Sequence, residues 1–138
     1  RVGVRRRADS AARPPAVPAA LGAAACGGSG GKADRDCTRG SEGEMPASVA
    51  GLTVTLCEPS TISSPVVFSA LDATAAGDLE PAFARAGRIV LTNAKNFRMD
   101  ADVPLMIPEV NASHIGLLPA QRKVRGWSGA ITTNPNCA

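Results

Sequence analysis

The stretch "PVVFSALDATAAGDLEPAFARAGRIVLTNA", residues 65–94, decides how the chain folds. Its opening "PVVFSAL" (65–71) is a short continuous apolar run, the pattern of a central parallel strand covered on both faces. Over 72–87, Asp72 or Thr74 offers a cap, Ala76, Leu79 and Phe83 recur at three- and four-residue spacing, and Gly87 supplies a stop, so a helix is expected. Pro81 should then lie near the helix start or kink it, because its ring collides with the preceding turn. "RIVLTNA" (88–94) is β-rich again. Strand, helix and strand within about thirty residues make a βαβ unit. The loop after the second strand, "KNFRMD" (95–100), therefore falls at the carboxyl end of a parallel sheet, where open α/β sheets bind ligands.

Working outward, "LTVTLCE" (52–58) alternates with period two and predicts a strand. "VPLMIPEVN" (103–111) predicts an extended segment broken by Pro104 and Pro108, and "SHIGLLPAQRK" (113–123) a short helix opened by a serine cap. "GAITTNPNC" (129–137) predicts one more strand running into a turn. The 138 residues suffice for one domain with a real core. With 3% aromatic residues and no tyrosine, that core is expected to be aliphatic and alanine-rich.

The net charge of +3 is unevenly spread: residues 1–40 hold eight lysines and arginines against three aspartates. A basic head suggests a nucleic-acid arm or a targeting peptide. No aromatic residue stands in those forty positions to stack on a base, which argues against single-strand recognition, and no nucleic-acid partner is expected. Pro14, Pro15 and Pro18 interrupt the apolar centre a secretory signal needs, and no run approaches the roughly 18 apolar residues of a membrane span. A protein without a membrane partner is expected. Cys26, Cys37, Cys57 and Cys137 form no C-x-x-C pair and His114 is the only histidine, so no metal site is expected.

Cys137 stands apart through its setting. In "TNPNC" Pro135 fixes a turn, Asn134 and Asn136 can satisfy backbone groups in it, and the thiol emerges past a strand end where a helix could begin. Such a place lowers a thiol's pKa and offers amides to an oxyanion. The same features also suit a merely buried cysteine.

Taken together and in this order, "FSALD" (68–72), "NAKNFRMD" (93–100), "IPEVN" (107–111) and "TNPNC" (133–137) resemble the bacterial, archaeal and fungal branch of the aspartate-semialdehyde dehydrogenases, over about residues 52–138. The resemblance implies an α/β, Rossmann-like, mostly parallel sheet. It also implies NADPH-dependent reduction of L-aspartyl 4-phosphate to L-aspartate 4-semialdehyde, in lysine, threonine and methionine biosynthesis. By the same resemblance Cys137 is the nucleophile, with Asn136 shaping its turn. Arg98 binds the substrate's phosphate with Asn93 nearby, and Ser69, Ala70 and Leu71 lie along NADP. Glu109 is implied to be structural, and His114 a surface residue. The partners implied are the acyl phosphate and inorganic phosphate as small molecules, with a cytoplasmic homo-oligomer as the parent enzyme.

The pattern breaks near the start. "RVGV" (1–4) looks like a first strand, yet "RRRADSAARPPAVP" (5–18) follows where a glycine-rich phosphate turn is expected. Similarity resumes near residue 21. In "GGSGGK" (27–32) Gly28 stands where the family usually has arginine, leaving Ser29 as the cofactor contact. Residues 1–20 are thus expected to be a degenerate or frame-shifted segment and 21–138 a partial NADP-binding domain, incomplete at its first βα turn and lacking the second domain. The isolated chain is expected to be inactive and to expose apolar surface. A non-catalytic remnant, or a related acyl-phosphate or acyl-CoA reductase, is the alternative.

Overall fold

A computed structural model describes residues 23–25 and 53–135. Within them, β1 (Ala23–Ala25) pairs in parallel with β2 (Val54–Leu56). A second parallel sheet takes the order β3 (Val66–Ser69), β4 (Ile89–Thr92), β5 (Ala130–Thr133). Helix α1 (Ala73–Arg85) joins β3 to β4. Between β4 and β5 come α2 (Pro108–Asn111), a 3-10 segment (Ala112–Leu117) and α3 (Leu118–Arg125). Parallel strands joined through helices form the Rossmann-like α/β arrangement, with β4 central. Residues 1–20, expected to be a degenerate or frame-shifted segment, lie outside the described residues.

Local chemistry accounts for α1. Asp72 is extended and its carboxylate accepts from the Thr74 and Ala75 amides at 2.9 and 3.1 Å, satisfying donors that the first turn leaves open. Gly87 stops the helix at φ +85°, a conformation that costs glycine nothing. Pro81 lies inside the helix, well beyond its start. The buried stripe is Ala76, Glu80, Phe83 and Ala84, at helical spacing, so the expected place of Leu79 on it is taken by an acid.

That stripe packs on one face of the sheet. Phe83, Ala84, Val90, Val103, Trp127 and Ile131 form the core cluster, with Val67, Ile62, Cys57 and Phe97 against it. Alanines 76, 84, 94 and 130 are buried as expected, but two aromatic rings stand at the centre of what composition alone predicts to be an aliphatic core. Gly129 lets β5 begin against the end of α1: a Cβ there would lie 2.0 Å from the Arg88 carbonyl oxygen, and its amide donates to the Ala84 carbonyl at 2.8 Å.

The segment 103–111 is extended only in part. Leu105 bridges to Thr133 in parallel, and Pro108 then starts α2, where a proline's missing N–H costs no helical bond. Asn111 shapes this turn by accepting from the Ile107 amide at 2.8 Å and donating to the Leu105 carbonyl at 2.9 Å. Ser113 caps nothing: it lies within the 3-10 segment, and α3 begins only at Leu118 with Pro119 in its first turn. Gly126, at φ +67°, terminates α3. Arg125 then clasps Asp100 and Asp102, at 2.7 and 2.5 Å, with its guanidinium 5.1 Å from the Trp127 ring centre and 5.8 Å from that of Phe97.

Candidate active site

The carboxyl ends of the three strands meet in one row. Ser69, Thr92 and Thr133 are register partners across β3, β4 and β5. The ladder continues one step beyond them: the Asn93 amide donates to the Ser69 carbonyl and the Asn134 amide to the Thr92 carbonyl, both at 3.2 Å. Parallel strands thereby deliver three loops to the same edge. A cleft of about 560 Å³ opens there, with Ser69, Ala70, Thr92, Asn93, Thr133 and Asn134 supplying its polar rim and Phe68, Leu91, Met106 and Leu118 contributing apolar wall. Apolar walls with a few convergent polar groups suit a cofactor-sized ligand.

Of the residues expected along the dinucleotide, Ser69 and Ala70 line this cleft, whereas Leu71 does not and is half-buried beside the α1 cap. Ser69 is also engaged: its hydroxyl donates to Glu80 Oε1 at 2.6 Å. Small side chains at 69 and 70 leave the backbone approachable.

Arg98 and Asn93 come together. A turn in which the Arg98 amide donates to the Lys95 carbonyl folds the side chain back, and Nη2 donates to the Asn93 carbonyl oxygen at 2.8 Å. Arg98 Nε is buried and lacks a hydrogen-bond partner among the described residues. The guanidinium is thus tethered through one nitrogen to Asn93, a residue of the cleft rim, while Arg98 itself is not among the residues lining the cleft. Asn96, in the same loop, is structural. Its Nδ2 donates to the Ala73 carbonyl at 2.7 Å, passing over Gly77, where a Cβ would stand 3.2 Å away.

The remaining expectations divide. Thr133 and Asn134 carry the "TNPNC" segment to the cleft, while Asn136 and Cys137 lie outside the described residues, as does Ser29. Glu109 is exposed on α2. His114 is an exposed residue whose Nδ1 meets Asn111 Nδ2 at 3.1 Å. Phe97 is partly buried and packs against the core cluster. No three His, Cys, Asp or Glu side chains converge on a common point among the described residues, and no described helix is long and apolar enough to cross a membrane.

Sequence reasoning missed Glu80 and Thr92. Glu80 is 1% exposed, and its Oε1 accepts from both Ser69 Oγ and Thr92 Oγ1, the latter at 2.5 Å. The signal was available: a glutamate four residues after Ala76 and three before Phe83 interrupts an otherwise apolar stripe.

Among the described residues, the strong electrostatic perturbation lies away from the rim. Hydrogen bonding from Arg125 holds the Asp102 carboxyl below the usual carboxylate range against the opposing effect of burial, and the same contact raises the guanidinium's pKa. This pair braces the fold.

Residues 21–118 match the family described as "Semialdehyde dehydrogenase, NAD binding domain". An aspartate-semialdehyde dehydrogenase of Trichophyton rubrum is 49% identical over 113 residues, which cover 80% of this chain and 31% of that protein. A malonyl-CoA reductase (NADP) of Metallosphaera sedula is 41% identical over 96 residues, covering 69% and 27%. The crystal structure of aspartate-semialdehyde dehydrogenase with NADP from Candida albicans superimposes with a TM-score of 0.72 at 34% identity, covering 83% of this chain and 34% of that one. The chain thus spans about a third of the length of these relatives.

Proposed function

Because the chain belongs to the semialdehyde dehydrogenase family through its NAD-binding domain, we propose that it forms the cofactor-side part of an NADPH-dependent enzyme reducing L-aspartyl 4-phosphate to L-aspartate 4-semialdehyde and phosphate. One observation carries the reading. Arg98, whose buried Nε has no partner among the described residues, is tethered to Asn93 on the rim of the cleft that Thr133 and Asn134 also line, two to four residues before Asn136 and Cys137 in sequence.

In this reading the Cys137 thiolate attacks the acyl carbon. The carbon–oxygen bond to phosphate breaks, and inorganic phosphate leaves with the bonding pair, giving a thioester on the chain. NADPH, when bound, supplies the hydride that reduces the thioester carbon. The carbon–sulfur bond then breaks, the aldehyde forms and the thiolate is restored. Arg98 holds the phosphate before and during its departure, Asn93 fixes Arg98 through its carbonyl, and Asn136 shapes the turn that carries the thiol. Ser69 and Ala70 accept the dinucleotide backbone-on, joined by Ser29; the apolar cleft wall and the small rim residues fit such a group. The whole enzyme acts as a cytoplasmic homo-oligomer, while the 138-residue chain expressed alone is expected to bind without turning over.

The similarity to a malonyl-CoA reductase favours one second reading, in which the same thiol accepts an acyl group from a coenzyme A thioester. The test is an NADPH titration of the purified chain with thiol labelling, Cys137→Ser serving as control, followed by turnover assays of the full-length protein. Saturable NADPH binding, a selectively reactive Cys137 and phosphate release from aspartyl phosphate support the proposal. Release of coenzyme A in place of phosphate selects the second reading. An unreactive thiol and no NADPH binding identify a non-catalytic remnant.

A further inference from the structure

Glu80 is a buried acid without a part in the chemistry proposed above, and its contacts lead to the anion-binding side of the site. Oε1 accepts from Ser69 Oγ at 2.6 Å and from Thr92 Oγ1 at 2.5 Å, tying the ends of β3 and β4 together from beneath. Since Thr92 spends its proton on Glu80, its oxygen is left to accept, and it does so from the Ala94 amide at 2.9 Å. Asn93 is thereby bracketed. Its amide is held by the Ser69 carbonyl, the next residue's amide by Thr92, and its own carbonyl receives Arg98 Nη2. Thr92 and Ala94 are 3% and 7% exposed, so water does not compete for these bonds. Glu80 Oε2 has no partner among the described residues, so the carboxylate's bonding is concentrated on the oxygen that reaches both strand ends.

We infer that Glu80 is the positioning residue for Arg98: through Thr92 Oγ1 and the Asn93–Ala94 backbone it sets where the guanidinium stands against Asn93, a residue of the cleft rim. The functional meaning of that placement rests on the reading of Arg98 as a phosphate ligand, but the coupling itself does not. A carboxylate is suited to the task because a single oxygen can accept two hydroxyl protons at once, which forces Thr92 to act as donor to Glu80 and acceptor from Ala94. An apolar side chain would fill the same space and leave the Thr92 hydroxyl free to rotate.

The test is amide hydrogen exchange and Arg98 Nε–H resonances of the 138-residue chain, with inorganic phosphate as the probe. In Glu80→Ala, Ala94 exchange is expected to accelerate at least about tenfold, the loss of one hydrogen bond's protection, and the Arg98 resonance to move, while Val90 and Ile131 amides keep their rates. Glu80→Gln, which retains an acceptor oxygen, should restore most of the Ala94 protection. Thr92→Val, which removes the relay without touching the acid, should reproduce the Ala94 effect and stands in should Glu80→Ala fail to fold. Unchanged Ala94 exchange, or acceleration equal to that of Val90 and Ile131, overturns the inference. Should phosphate leave the Arg98 resonance of the unsubstituted chain unmoved, the phosphate role fails, and the exchange data still decide the coupling.

Discussion

Gln121 pairs with Ile131 as though it were a piece of neighbouring strand: its Nε2 donates to the Ile131 carbonyl at 2.9 Å and its Oε1 accepts from the Ile131 amide at 2.8 Å. The outer edge of β5 is completed on either side of Thr133 by backbone, with the Thr133 amide bonded to Pro104 and its carbonyl to Met106. One side chain from α3 thus finishes a sheet edge that would otherwise bury unpaired peptide groups.

Gln121→Leu is therefore expected to lower unfolding free energy by about 2–4 kcal/mol, since two fully buried backbone groups lose their partners at once. Urea unfolding with an unchanged slope is the expected record. A loss below about 0.5 kcal/mol would mean that the edge is satisfied some other way.

Two glycines should respond in opposite ways to the same substitution. Gly129→Ala drives a methyl into the Arg88 and Ala84 backbone and is expected to cost more than about 3 kcal/mol, whereas Gly116→Ala meets nothing within 4 Å and should be neutral or stabilising by about 0.5 kcal/mol. Thermal melts of the two variants side by side provide the comparison.

Asp102 gives the pH dependence a sign. Its folded pKa is depressed by Arg125, so its contribution is fully present above the unfolded value of about 3.9 and is lost as pH falls through the folded value. Asp102→Asn should cost about 1–2 kcal/mol at neutral pH and flatten the acid limb of the stability profile below about pH 4. Parallel acid limbs for the two proteins would remove the pair from the account.

Arg98→Lys in the full-length protein is expected to leave stability within about 0.5 kcal/mol and to reduce kcat/KM for an acyl phosphate by roughly a hundredfold, because an ammonium cannot reproduce a planar fork on phosphate. Steady-state kinetics with retained NADPH affinity would be the signature.

Phe68 is 83% exposed on the sheet face away from α1, and Met99, Val110 and Val124 are exposed to similar extents elsewhere. The chain alone is expected to bind a hydrophobic dye and to self-associate, and Phe68→Ser to reduce both. Sedimentation at several concentrations measures it.

Much of this was legible in sequence because local chemistry coincided with tertiary need. The apolar run 65–71, the Asp72 cap and the Gly87 stop delivered β3, α1 and β4, and with them the loop bearing Asn93 and Arg98, but among the described residues β3 is an outer strand with Phe68 exposed, not the central strand covered on both faces that its apolar run predicts. Reading failed where a distant partner decided. Pro81 lies deep in α1 and not at its start, where tertiary packing of Phe83 and Ala84 outweighs the lost hydrogen bond. Ser113 has the right chemistry for a cap, but Asn111 already organises the preceding turn and the chain tightens into a 3-10 segment. Gln121 and Glu80 are polar letters on helix faces, and only the strands they meet reveal what they do.

The placement of β4 between β3 and β5 also bears on how the protein is made. During synthesis β3, α1 and β4 leave the ribosome well before 130–133, so β4 waits with its second edge open until its last neighbour emerges. Over that interval a nascent chain exposes "IVLT" (89–92) to any other strand in the vicinity, and the hazard ends only when β5 docks and Gln121 closes behind it.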